Sequence, residues 1–460
     1  MKRQVTTLSL GTDSLSSLLP RYAIPAIIAM TSTSLFNIID SIFIGHGVGA
    51  LAISGMALTM PIMNVASAFG SMVGVGAAAI TSIRLGQGNV RASEKTLGNV
   101  VVLNVLLGVV IGVVGTLLLD PILYFFGASE QTISYAREFM QVILAGNVIT
   151  HLYLGLNELM RASGYPQKSM YAMLTAVAVN CILNPLFIFK FGWGIRGSAF
   201  STLIAQCAAM SISLHHFSRR DSFVRFRRGT FSLDLKIVGS IISIGLAPFL
   251  MNICASIVVV FVNKALMTYG NDLDIGAFGI INRMAMLFIM IVLGLNQGMQ
   301  PIVGYNYGAR KYDRVVKTYF ITVSCALCIT SIGYLISRFM PVQVAHLFVG
   351  GEDADAEDLI NAVVYGMKYT MIAFWAVGFQ IVTGNFFQYI GKPKRAILIS
   401  MTRQMLFLVP LLIVLPPRTG VLGVWVAQPI ADSMSVLLAA TLIFFQIRKL
   451  RRNPDSERSI

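Results

Sequence analysis

The sequence predicts an all-α polytopic membrane protein of twelve transmembrane helices, built as two six-helix parallel repeats. Composition is the first reason. Of 460 residues, 56% are hydrophobic and 12% charged, and the mean hydropathy is +0.74. Soluble domains carry about 25% charged residues, and no soluble fold could hide this much apolar surface. The length of the apolar runs is the second reason. A bilayer core takes about 20 apolar residues per helix, and about a dozen such runs follow one another. Charge placement and internal repetition are the third, and they set the topology.

The expected spans are 22–45, 53–83, 99–119, 132–160, 169–189 and 197–217, then 237–268, 276–304, 318–338, 360–390, 396–416 and 421–446. Several exceed the minimum, which tilt or projection beyond the hydrocarbon accommodates. The domains read as a six-helix lobe over 1–217, a linker over 218–236, a second six-helix lobe over 237–446 and a basic tail over 447–460. The linker, SRRDSFVRFRRGTFSLDLK, is polar and strongly basic, suited to lie on an anionic leaflet surface. Residues 4–17 are mostly polar and the first apolar run is too long for a signal-peptide core, so no cleaved leader is expected.

Lys and Arg gather in alternate connections: Lys2 and Arg3; Arg84, Arg91 and Lys95; Arg161 and Lys168; the linker; Arg310, Lys311, Arg314 and Lys317; Lys392, Lys394 and Arg395; and the tail with Arg458. The intervening connections are neutral or acidic, as at Asp272 and Asp274 or at Glu352 to Asp358. Positive charge marks the cytoplasmic side, so both termini are expected there and the number of spans is even. The formal charge of +15 is thereby read as topology, with no nucleic-acid partner. The five cysteines fall within apolar segments and no disulfide is expected; Cys325 and Cys328 read as packing residues.

The halves repeat. Pro25 and Pro248 are 223 residues apart, Gly86 and Gly308 are 222 apart, and so are Thr96 and Thr318. Gly164 and Pro166 match Gly391 and Pro393 at 227, and Gly194 and Gly197 match Gly420 and Gly423 at 226. Because each half has an even number of spans, both enter from the same side. Such transporters hold substrate between the halves and move by rocking one against the other.

The first span carries the chemistry. Asp40 sits among Phe36, Ile38, Ile39, Ile42 and Phe43, where a charge costs about 2.5–3.5 kcal/mol on insertion scales and so needs a functional reason. In a poorly hydrated lobe its charged form is disfavoured, which suits proton uptake near neutral pH. A sodium ion could serve instead, given neutral oxygens around the carboxylate. Asn180 and Asn184 are four apart on one face of the fifth helix. Pro25 lacks a backbone donor and kinks a helix, so a bend coupled to Asp40 is expected to reshape the cavity. In the second half Asn263 stands 223 residues after Asp40 and is followed by Lys264. Arg283 lies on the eighth span, Gln380, Asn385 and Gln388 on the tenth, and Asp432 on the twelfth. Lys264 or Arg283 pairs with Asp432 or snorkels to an interface. Met56, Met60, Met63 and Met72 on the second span suit a promiscuous apolar cavity.

Local runs add a family likeness. NELMRASGYP (157–166) resembles the Asn-x-x-Leu-Arg-Ala-x-Gly-x-Pro run of the multidrug and toxic compound extrusion (MATE) family, with Met160 in the Leu position. NCILNP (180–185) is similar to its Asn-x-x-x-Asp-Pro, with Asn184 where many members have Asp. GSAFSTLIAQ (197–206) and GLNQGMQPIVGYNYGAR (294–310) are similar to its sixth-span opening and its Gly- and Gln-rich segment. The likeness covers residues 20–446. It implies a cation site formed by Asp40, Asn180, Asn184 and Thr202, with Asn157 nearby. It further implies an antiporter that exports amphipathic or cationic organic compounds in exchange for H+ or Na+. The departure at Asn184 leaves one carboxylate and weakens a sodium site.

No G-x-x-x-x-G-K-[ST] run is present, so the energy is expected from an ion gradient or the membrane potential, unless the protein is passive. No His/Cys cluster has zinc spacing and no hydrolase signature appears, so the protein is read as a non-enzyme without cofactor or bound metal. It is expected to work as a monomer in a bacterial inner membrane, among membrane lipid. The runner-up, a flippase for a lipid-linked precursor, would line its cavity with several cations, and the first half offers few.

Overall fold

Proline and polar turns set where each helix starts, and apolar length sets how far it runs. The computed structural model describes residues 9–48, 50–126, 128–220, 222–348 and 354–452. Lys2, Arg3, Glu352, Asp353 and Arg458 lie outside the described residues. In the first half α1 is Leu15–Gly47, α2 is Ala50–Gly86, α3 is Val90–Leu117 and a short α4 is Leu119–Phe125. Asn89 caps α3, accepting from the Ala92 N–H at 3.0 Å. The fourth crossing is bent by 57° between α5 (Ile133–Ala145) and α6 (Asn147–Ala162). α7 (Pro166–Pro185) opens on a proline, whose missing N–H costs nothing at a helix start. It closes in a π turn, Leu186–Lys190, and α8 is Gly194–Ser218.

The second half repeats the plan. α9 is Leu235–Tyr269, α10 is Asp272–Gly308, α11 is Tyr312–Phe339 and a short α12 is Pro341–Phe348. α13 (Ala354–Thr370) and α14 (Phe374–Tyr389) meet at the same 57° bend. α15 (Pro393–Met401) again opens on a proline and passes into a π turn, Thr402–Leu408. α16 (Val409–Val414), α17 (Pro416–Thr419) and α18 (Val421–Arg452) complete the chain. Bent fourth crossings and π turns in the fifth recur in both halves, which is the duplication in three dimensions. The described residues contain no strand. Nine of their helices are long and apolar enough to cross a membrane, and the bent pairs bring the number to eleven. α1, where the first crossing is expected, is not among those eleven.

Four expectations change. The fourth and tenth spans are bent pairs rather than single rods. The eleventh carries a π turn, Thr402–Leu408, partway along its length. The linker is held against the first half: Arg227 reaches back to the buried Glu94 carboxylate at 2.7 Å, and Asn99 holds the Ser232 carbonyl and the Asp234 N–H at 3.2 and 2.8 Å. Cys325 and Cys328 face outward rather than into a packed seam.

The basic loops share one end of the bundle, here called the basic end. The two largest helix contacts in the molecule join the halves, α2 with α9 and α1 with α10. They are tight because the backbones touch. A Cβ on Gly86 would stand 1.9 Å from the Tyr305 carbonyl oxygen, and one on Gly308 would stand 2.0 Å from that of Ile83. Deeper in, Gly76 and Gly245 meet the carbonyls of Ile241 and Met72 in the same way. Such approaches admit Cα–H···O contacts between helices. α2 is buried at Val73, Ala77, Ala78, Ile80 and Ile83, yet Met60 and Val65, toward its other end, are 49% and 40% exposed. The halves are closely packed at the basic end.

Candidate polar site in the first lobe

The site is built where α1, α7 and α8 meet. Asp40 lies in the last third of α1 and is only 4% exposed. One of its oxygens, Oδ1, accepts from Asn184 Nδ2 and from Ser198 Oγ, the latter at 3.1 Å. Asn184 is in the last turn of α7 and Ser198 in the first turns of α8. One turn back on α7, Asn180 Nδ2 donates to Thr202 Oγ1 at 3.0 Å, and Asn180 Oδ1 accepts from Ser201 Oγ at 3.0 Å. Thr202 Oγ1 in turn donates to the Ser198 carbonyl at 3.1 Å. Asp40, Asn180, Asn184 and Thr202 therefore stand in one buried network, joined by Ser198 and Ser201. The side chains of Phe36, Ile38, Ile39 and Ile42 lie outside the described residues.

The network is one donor short. Among the described residues Asn184 Oδ1, on the side chain that donates to the carboxylate, is buried without a partner. A carboxylate and an unpaired amide oxygen placed together are relieved by a bound cation or by a proton on the acid. Among the described residues Asp40 has no Lys or Arg partner. These oxygens fit a hard cation or a proton, and the site has no other evident use for a buried charge.

Other candidates fall elsewhere. Asn157 exchanges two hydrogen bonds with Ser169, 3.1 Å to its carbonyl and 2.6 Å from its hydroxyl, so it ties α6 to α7 rather than joining Asp40. Pro25 is buried within an unbroken α1, between Ala23 and Ile27, the residues against which Gly298 and Gly294 of α10 pack. Asn263 is half-buried, and Lys264 and Arg283 are exposed. Asp432 pairs with neither. Its partner is Arg403, Nε to Oδ1 at 2.7 Å, with Gln380 accepting from Arg403 Nη1 at 3.3 Å and Gln428 donating to Asp432. Gln388 Nε2 donates to the Ile244 carbonyl at 3.4 Å. Arg403, the second residue of the π turn, was not among the expected site residues although it stands within the expected eleventh span. Nor were Ser198 and Ser201, although Ser198 and Thr202 are four apart and share a helix face.

A family model described as MatE matches residues 25–186 and 244–414, the body of both halves. A multidrug export protein, MepA, of Staphylococcus haemolyticus is 26% identical over 427 residues, 92% of each chain. A solved structure of a MATE transporter in a bent conformation superposes with a TM-score of 0.91 at 23% identity, covering 98% of this chain and 99% of that one. A multidrug resistance MATE transporter solved in an outward-facing conformation gives 0.89 at 24% identity, covering 97% and 98%.

Proposed function

This chain belongs to the MatE family, and from that premise we propose that it is a secondary active multidrug exporter. It moves amphipathic and cationic organic compounds outward in exchange for H+ or Na+ by rocking of its two halves. The observation that carries this reading is Asp40, a buried carboxylate whose Oδ1 accepts from Asn184 Nδ2 and Ser198 Oγ, with Asn184 Oδ1 left without a partner among the described residues. Filling that site with a proton or a cation removes an uncompensated charge, and a change of that size can bias the packing of α1 against α10. The name of the staphylococcal relative supports the cargo class. The close packing of the halves at the basic end supports a state closed at that end, and one neighbour was solved in an outward-facing conformation. By the positive-inside rule the basic end is cytoplasmic, with both termini on that side of a bacterial inner membrane. A flippase for a lipid-linked precursor is not favoured: the interior cations Arg161 and Arg403 are already neutralised by Glu158 and Asp432.

The test is dye export from proteoliposomes driven separately by an imposed proton gradient and an imposed sodium gradient, with wild type beside Asp40→Asn. One gradient is expected to drive wild type, and Asp40→Asn is expected to lose at least about 90% of the driven rate, as for loss of an essential ionisable group. Equal transport by both proteins would remove Asp40 from coupling. No dye movement under either gradient would overturn the export reading.

A further inference from the structure

A charged mouth stands over an apolar floor on the first half, at the end away from the basic loops. Between α5 and α8 lie two contiguous hollows of about 630 and 520 Å³, whose walls share Glu138, Arg196 and Phe200. Arg196 is in the first turn of α8 and Glu138 in the second turn of α5. Arg196 Nε stands 3.5 Å from a Glu138 carboxylate oxygen. Trp193 forms an aromatic wall beside them, 5.0 Å from the Phe187 ring and 5.9 Å from the Phe200 ring. Further along the helices the floor is Leu203 and Ile204. From Arg196 to Ile204 is about 12 Å of helix, over which the lining passes from charged to aromatic to aliphatic.

The groove faces away from the Asp40 network. At 100° per residue, Arg196, Phe200 and Ile204 share one face of α8, while Ser198, Ser201 and Thr202 share the opposite one. The first face is open, with Phe200 and Ile204 exposed by 42% and 43%. The ion pair at the mouth is weakly held. Its side chains are 55% and 42% exposed, and pairs so exposed contribute little, so each partner exchanges readily for a better-matched ligand.

We propose that this groove is a binding site for phosphatidylethanolamine from the surrounding leaflet. The lipid phosphate takes Arg196, whose planar guanidinium suits a phosphate. The lipid ammonium takes Glu138 and lies within reach of the Trp193 ring face. One acyl chain runs down Phe200, Leu203 and Ile204. The exchange is charge-balanced: each member of the ion pair trades its partner for a group of the same sign. Phosphatidylglycerol satisfies Arg196 but leaves Glu138 opposite an anionic head. Phosphatidylcholine brings a cation without an N–H to donate. The site requires only that the chain sit in a membrane, so it stands independently of the export reading.

Native mass spectrometry of the full chain, released from nanodiscs holding the three lipids with identical acyl chains, tests it. Wild type is expected to retain one phosphatidylethanolamine with about tenfold preference over either rival, the fold-change of one hydrogen bond to a charged group. Glu138→Gln with Arg196→Gln should abolish the preference at unchanged thermal stability. Ile204→Trp should lower retention of all three by blocking the floor while leaving the charges in place. Equal retention of the three lipids by wild type, or an unaltered preference in the double variant, overturns the proposal. Displacement of the lipid by an amphipathic dye, with the double variant losing the dye as well, would make the groove a cargo site and overturn it equally.

Discussion

Arg403 and Asp432 illustrate how a charge pair is tolerated inside a lobe. Asp432 is 4% exposed and its counter-charge sits 2.7 Å away on a different crossing. Removing one partner strands the other, which costs about 3–5 kcal/mol, whereas neutralising both is often close to neutral. Arg403→Gln should therefore lower thermal stability sharply in a detergent-extract melting assay, and Arg403→Gln with Asp432→Asn should recover most of it. Equal melting of the single and double variants would mean that the pair is not what holds these side chains. At this scale the sequence was partly legible. Asp40 stood out because a carboxylate in an apolar run is conspicuous, and Asn180 and Asn184 because their spacing puts them on one face. Arg403 was passed over for Lys264 and Arg283, since in a list of residues every intramembrane cation is an equal candidate. Only packing separates the exposed ones from the buried one.

Among the elements, the start of α9 depends on Asp234. Its carboxylate accepts from the Lys236 N–H at 3.0 Å and lies 3.7 Å from Lys95 Nζ. The bond from the Lys236 backbone leads the contacts that hold its pKa below the ordinary carboxylate range. A depressed folded-state pKa stabilises the fold above the unfolded value of about 3.9, and that contribution is lost as pH falls through the folded value. Asp234→Ala should therefore melt earlier than wild type at pH 7, Asp234→Ser should retain the cap, and the gap between wild type and Asp234→Asn should close toward pH 3. A gap constant from pH 7 to pH 3 would deny the carboxylate this role. The spans themselves were legible from hydropathy and length. The bends were not, because Gly146 is a single residue within a run that remains apolar on both sides. The π turns left no mark in composition at all.

For the whole molecule, the glycine crossings decide which end is shut. A Cβ at Gly86 or Gly308 meets backbone, which cannot swing aside as a side chain can. Overpacking of this kind costs about 1–3 kcal/mol, and it falls only on the state in which the basic end is closed. Gly86→Ala and Gly308→Ala should each shift the equilibrium toward the state open at that end. Spin labels at positions 91 and 317, both exposed near the crossing, in a background without the native cysteines, should report a longer distance; an unchanged distance would mean that the crossing does not act as the gate. The duplication was legible in the paired Pro and Gly positions, and Gly86 and Gly308 were among them. That the two pack against each other's helices needed the third dimension, because sequence repeats state equivalence and say nothing of contact.

The opening segment of the chain has a timetable as well as a place. The Leu10 carbonyl is held by Asn306 at 2.8 Å and by Arg314 at 3.2 Å, the Gly11 carbonyl by Lys311 at 2.9 Å, and the Asp13 carbonyl by Arg314 at 2.7 Å. Leu10, Leu15, Leu18 and Leu19 share their apolar cluster with the second half. Those partners are translated some 300 residues later. At about 5–20 residues per second the ribosome takes roughly 15–60 s to reach them. For that interval these leucines lack the second-half side chains they pack against, so the segment is seated only once the second half has been made.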